Sequence, residues 1–128
     1  IAMNLPSLSA YQARVRAGGE IIFDASLIRD MPEREDVCLR ALPATRLAAD
    51  AGLEGLSNMI LLGAFLLDCL PLSESQLRHA LEQTVPKHKA HLVEANQHAI
   101  ALGKQEAAQV KQEAPAQTCA SARPRKAG

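Results

Sequence analysis

Ser7–Ser26 reads SLSAYQARVRAGGEIIFDAS, and its punctuation decides the class of fold. Ser7 stands as a candidate N-cap for a helix in which Leu8, Tyr11 and Val15 share one face at i, i+3 and i+7. Gly18-Gly19 then ends that helix, because glycine reaches φ > 0 without a Cβ clash. Glu20–Ser26 follows as a short apolar run of β-forming residues, the pattern of a strand buried on both faces. Helix, glycine turn and strand make the second part of a βαβ unit. Reading Ile1–Met3 as the end of a preceding strand completes the unit and makes the sheet parallel there.

Outward from this stretch, Leu27–Asp36 is polar, contains Met31-Pro32, and reads as a loop or arm. Val37–Leu42 is a second strand. Pro43 takes the first position of a helix that closes at Gly52. Gly55–Leu70 is an almost unbroken apolar helix, shorter than the ~20 residues a bilayer requires. It is expected to lie buried inside the domain or against another subunit. Ser73 and Gln76 form an S-x-x-Q capping box after Pro71, and Pro86 opens a last helix that runs through Leu102 and closes at Gly103.

Two or three strands among so many helices are too few for a free-standing α/β sheet. The pattern predicts an open α/β domain whose N-terminal half lies outside this chain, with a helix-rich C-terminal half. Residues 1–103 form its ordered body. Lys104–Gly128 has Val110 as its single large aliphatic residue and is expected to be a disordered tail, since it cannot offset its ordering entropy. Lys104, Lys111, Arg123, Arg125 and Lys126 against Glu106 and Glu113 give the tail a net +3, leaving the body at −3.

The 128 residues carry 14 basic and 14 acidic side chains, which weighs against nucleic-acid and anionic-membrane partners, both of which call for excess positive charge. Tyr11, Phe23 and Phe65 are the only aromatics, so no base-stacking platform exists. Cys38, Cys69 and Cys119 lie 31 and 50 residues apart. That spacing forms no metal knuckle and suggests a reduced, cytoplasmic chain.

Three clusters invite a chemical reading. His91, Glu94 and His98 could share one face of the last helix as metal ligands, although exposed titratable residues on a solvated face explain them as well. His79 stands alone and is read as a surface residue. The cysteines lack a nearby cation or helix N-terminus that would make one a nucleophile. The more informative polar residues sit at strand ends and helix starts, where open α/β sheets bind ligands. These are Asn4, Pro6 and Ser7 after the first strand end, Ser26 after the second, and Asn58 at the head of the apolar helix. For Ser7 and Asn58, helix capping is the plainer role. No G-x-G-x-x-G loop occurs.

The blocks AMNLPSL (2–8), GGEIIFDASLI (18–28), LPATRLAADAG (42–52), LSNMILLGAFL (56–66) and EANQHAIALG (94–103) stand in an order that resembles the gamma subunit or gamma domain of 2-oxoacid:ferredoxin oxidoreductases. The resemblance covers Ile1–Gly103 and implies an open Rossmann-like sheet. It implies a place in the oxidative decarboxylation of a 2-oxoacid to acyl-CoA, with electrons passed to ferredoxin. It further implies alpha, beta and delta subunits as partners. Thiamine diphosphate and 4Fe–4S clusters would sit on those partners, and coenzyme A would be used by the whole enzyme. This chain itself would hold no cofactor, metal or catalytic centre. MNLPSL looks most like the corresponding MNQPSL block of the 2-oxoglutarate-using members, as against the pyruvate-using ones. On the resemblance, Asn4, Pro6, Ser7, Ser26 and Asn58 line a cleft or an interface, and Asn96 packs the last helix onto the sheet. Two other readings remain open: a fragment of a stand-alone Rossmann-like nucleotide-binding enzyme, and a small helical interaction module.

Overall fold

The computed structural model describes residues 1–113. Strands β1 (Glu20–Asp24) and β2 (Cys38–Leu42) pair in parallel, Glu20 opposite Cys38 and Asp24 opposite Leu42. On the other side of β1, the Ala2 N–H donates to Ile22 C=O (2.8 Å) and the Asp24 N–H to Ala2 C=O (3.2 Å), a parallel bridge. The segment around Ala2 is therefore a parallel neighbour of β1, bridged at one residue.

Alternation along β1 builds two layers of core. Ile21 and Phe23 pack with Ala2, Leu8 and Ile28, beneath helix α1 (Leu5–Tyr11). Ile22 faces the other way and joins Leu42 of β2, Ala48 of helix α2 (Ala44–Asp50), and Ile60 and Leu61 of helix α3 (Ser57–Cys69). Helix α4 (Glu74–Thr84) starts with the expected reciprocal box: the Gln76 N–H donates to Ser73 Oγ (3.2 Å) and the Ser73 N–H to Gln76 Oε1 (2.9 Å).

The first helix is shorter than its sequence suggests. It ends at Tyr11, followed by a 3₁₀ turn at Gln12–Arg14, and Val15 is already extended. A distant residue explains the stop. Arg34 Nη1 donates to the carbonyls of Gln12 (2.8 Å) and Val15 (2.6 Å), which meets their hydrogen-bonding need without further helix. Gly18, at φ +74°, then turns the chain and donates to Asp36 C=O.

The last helix departs from expectation at both ends. Lys87–Leu92 is 3₁₀ with a kink at Lys89, and α5 begins only at Val93. Nor does Gly103 end it: α5 continues to Glu113. Lys104–Glu113 is thus helical, which moves the end of the ordered body beyond residue 103, and the rest of the expected tail lies outside the described residues. Glycine at 103 serves close packing. A Cβ there would overlap the carbonyl oxygen of Ile60 on α3, and a Cβ at Gly63 would overlap that of Ile100. Ala107, one turn on, is buried in the same core, so a small residue supplies the apolar contact for which the tail lacks large ones.

One buried cation ties the layers together. From β2, Arg40 donates through Nη1 to Ala64 C=O (2.7 Å) and through Nη2 to Asp68 Oδ2 (2.7 Å), both on α3. The same Nη2 lies 2.8 Å from Glu20 Oε1 on β1, an oxygen with no well-directed hydrogen bond. Lys111 Nζ closes the group on Asp68 Oδ1 (3.1 Å).

Candidate functional site

The three parallel segments end at one edge of the sheet, and the chain leaves each end through polar residues. After Ala2 comes Asn4, whose extended backbone (φ −149°, ψ 162°) makes it the N-cap of α1. Its Oδ1 accepts the Ser7 N–H at 2.9 Å. Ser7 therefore does not cap the helix; it lies inside the first turn and donates to the cap. Pro6 fits the same turn because a missing N–H costs nothing there. The cap is one residue type and three positions from where the sequence placed it, and Asn before Leu-Pro-Ser was its signal.

After β1 the site is built around a residue that the sequence reading passed over. Asp24 is fully buried. Its Oδ1 accepts the Ser26 N–H (2.9 Å), and its Oδ2 accepts both the Thr45 N–H (3.1 Å) and the Thr45 hydroxyl (2.6 Å). Ser26, half-buried, in turn accepts the Arg46 N–H on Oγ at 3.2 Å. Asp24 and Ser26 thus receive the free N–H groups of the first turn of α2, where Pro43 at the cap position has no side-chain oxygen to offer. An acidic residue closing an apolar strand was the available sign.

The third candidate is placed differently. Helix α3 runs back across the sheet: Asp68 meets Arg40 and lies near Glu20, which opens β1, while Ile60 shares a core cluster with Leu42 and Ala44 at the end of β2. Its first turn, with Asn58, therefore lies towards the same edge as Asn4 and Ser26. Asn58 is exposed and does not cap the helix, whose cap position is Leu56; its Oδ1 accepts only the neighbouring Met59 N–H (2.9 Å). Asn96 is buried, but its Nδ2 donates only one turn back along the chain, to Leu92 C=O (2.7 Å), across the junction between the 3₁₀ segment and α5.

The histidines do not converge. His88 and His91 lie in the 3₁₀ segment, on either side of the kink at Lys89, and His98 lies in α5; all three are exposed, as is His79. Among the described residues no group of three or more His, Cys, Asp and Glu is placed to hold a metal ion. Cys69 is free at the end of α3, and partial burial, with the Glu20 charge nearby, pushes its thiol above the ordinary value. That environment disfavours a nucleophilic thiolate. No helix among the described residues is long and apolar enough to cross a membrane.

Two recesses flank this framework. One, of about 540 Å³, opens between α4 and the 3₁₀ segment, with Arg78, Glu82, Lys87, His91 and Glu94 on its walls. The other, of about 250 Å³, lies beside α1 and the free edge of β1, next to Ile1, Ser7, Gln12 and Glu20. Of the strand-end residues, Ser7 lines the second of these recesses, and Asn4, Ser26 and Asn58 line neither.

Residues 1–106 match the family model for pyruvate ferredoxin/flavodoxin oxidoreductase. The fold is similar to the gamma subunit of a keto/oxoacid ferredoxin oxidoreductase from Geobacter sulfurreducens PCA, with a TM-score of 0.70 and 23% identity, over 84% of this chain and 64% of that one. It is also similar to a 2-oxoglutarate:ferredoxin oxidoreductase from Magnetococcus marinus, solved with 2-oxoglutarate, coenzyme A and succinyl-CoA bound. There the TM-score is 0.67 at 22% identity, over 84% of this chain and 19% of that one. The chain thus spans less than two thirds of the length of either structure. No curated protein matches it.

Proposed function

From its membership of the pyruvate ferredoxin/flavodoxin oxidoreductase family, to which this chain belongs, we propose that it is part of the gamma subunit of a 2-oxoacid:ferredoxin oxidoreductase. The observation that carries this reading is the fold shared along most of the described chain with a gamma subunit of such an enzyme. The role is accessory: the chain supports a thiamine-dependent oxidative decarboxylation whose product is an acyl-CoA and whose electrons leave to ferredoxin. We favour 2-oxoglutarate as the oxoacid, on the M-N-x-P-S-L block at residues 3–8. Partners are alpha, beta and delta subunits, and the compartment is the cytoplasm.

The donor chemistry of this chain agrees with an accessory role. A 4Fe–4S cluster takes four thiolates, and the sequence holds three cysteines. Asp24, the buried carboxylate at the polar edge, spends its oxygens on Ser26 and Thr45. Fully buried and holding three hydrogen bonds, it does not face an open site for the divalent ion that accompanies a diphosphate cofactor. The residues here do not fit either group, and no chemical step is assigned to them. In the proposed assembly Asn4, Pro6, Ser7, Ser26 and Asn58 lie along a cleft or subunit contact. Behind Ser26, Asp24 anchors that part of the edge to the start of α2.

Co-expression with its genomic neighbours and purification on a tag tests the proposal. The expected result is a brown complex that reduces a viologen dye when given a 2-oxoacid, coenzyme A and thiamine diphosphate, fastest with 2-oxoglutarate. Recovery of the tagged chain alone, folded and monomeric, overturns the assembly. A complex that prefers pyruvate overturns the substrate and keeps the family role.

A further inference from the structure

Past Gly103, α5 changes the way it is held. Ala107 is the last residue seated in the core, and from Ala108 to Lys111 none is fully buried. Ala108 and Val110 are half-buried, and the polar fastening of this part to the body is charge. Lys111 reaches Asp68 near the C-terminal end of α3, and with side chains 45% and 34% exposed the pair is open to salt. The other Asp68 oxygen is held by Arg40, which in turn faces Glu20. Two cations and two carboxylates therefore form a neutral chain of contacts from β1 through β2 and α3 to the end of α5. Of the four, Lys111 alone lies beyond the residues matched by the family model. Without it, Asp68 keeps one cation at a helix terminus whose dipole is already negative.

The geometry points to an electrostatic strap. The turns of α5 after Ala107 dock on the end of α3 through Lys111, and rising ionic strength releases them while the core below stays closed. Burial separates the two regimes: Ala99, Ile100, Gly103 and Ala107 are shielded from solvent and from salt, whereas Lys111 and Asp68 are not.

Hydrogen exchange on the full chain, read by mass spectrometry at about 20 mM and about 500 mM salt, tests this, because screening over that range shortens the Debye length several-fold. At low salt, Lys111→Ala is expected to speed exchange in residues 108–113 about three- to fivefold, the size that a partly exposed ion pair supplies. Residues 93–103 keep their protection, Lys111→Arg restores the native pattern, and Asp68→Asn reproduces the loss. Salt alone should have the same effect on the unmodified chain and none on Lys111→Ala. Unchanged exchange in Lys111→Ala, a salt response that survives in it, or deprotection spread along all of α5 each overturns the strap.

Discussion

Gly103 of α5 sits directly against the backbone carbonyl of Ile60 on α3, with no room between them for a Cβ. Gly63 and Ile100 form the converse contact one turn away, so the two helices touch backbone to backbone at two points. Alanine normally improves a helix interior by about 1 kcal/mol over glycine. At position 103 the overlap outweighs that gain, and Gly103→Ala is expected to lower stability by roughly 2 kcal/mol or more in urea unfolding. Gly52→Ala is the comparison: φ is +67° with open space around it, and the left-handed backbone alone costs about 1 kcal/mol. Equal losses at the two sites would contradict the close approach.

Asp24 gives a second test. Asp24→Ala strands the Ser26 and Thr45 N–H groups beneath the polar edge and is expected to cost about 3 kcal/mol. Thr45→Val removes only the hydroxyl donor and is expected to cost about 1 kcal/mol. In a double-mutant cycle the two changes should couple, because they share one carboxylate oxygen. Simple additivity would dismiss the shared bond.

The carboxylates around Arg40 predict opposite responses to acid. Burial raises the Glu20 carboxyl, with Arg40 offsetting this only in part. Its contribution to stability is therefore full below its unfolded value of 4.5 and is lost as pH rises through the folded value. Burial also acts to raise Asp68, but hydrogen bonds from Lys111 and Arg40 outweigh it and hold the carboxyl below its ordinary 3.8. Its contribution is present above 3.8 and is lost as pH falls through the folded value. Glu20→Gln should thus compare more favourably with the native chain at pH 7 than at pH 4, and Asp68→Asn the reverse. Unfolding curves at the two pH values decide it; parallel shifts for both variants would refute the assignment.

For the polar edge, stability and assembly should separate. Asn58 is exposed and bonds only its neighbour, so Asn58→Ala is expected to change stability by less than about 0.5 kcal/mol. Asn4→Ala loses a helix cap and costs about 1 kcal/mol. If these residues lie at a subunit contact, recovery of partner subunits on a tagged chain falls several-fold for Asn58→Ala at unchanged stability. Full recovery would remove Asn58 from the interface.

Local chemistry made much of this molecule legible in its sequence. The apolar run at Glu20–Asp24, the glycine at 52, the S-x-x-Q box at Ser73 and the apolar 57–69 helix each follow from forces acting within a few residues. The order of the sequence blocks carries the resemblance to the family on its own. Tertiary contact decided the rest. Arg34 holds the turn after α1 through Val15, 19 residues away, a hydrogen bond that no local window contains. Gly103 looks like a helix terminus in sequence, yet it is a packing residue because Ile60 lies opposite. Asp24 has no distinct role in the sequence, and gains one only because the fold brings Thr45 against it. A residue's own propensity is written in its neighbours along the chain, but whether glycine ends a helix or lets another approach depends on what the fold places across from it.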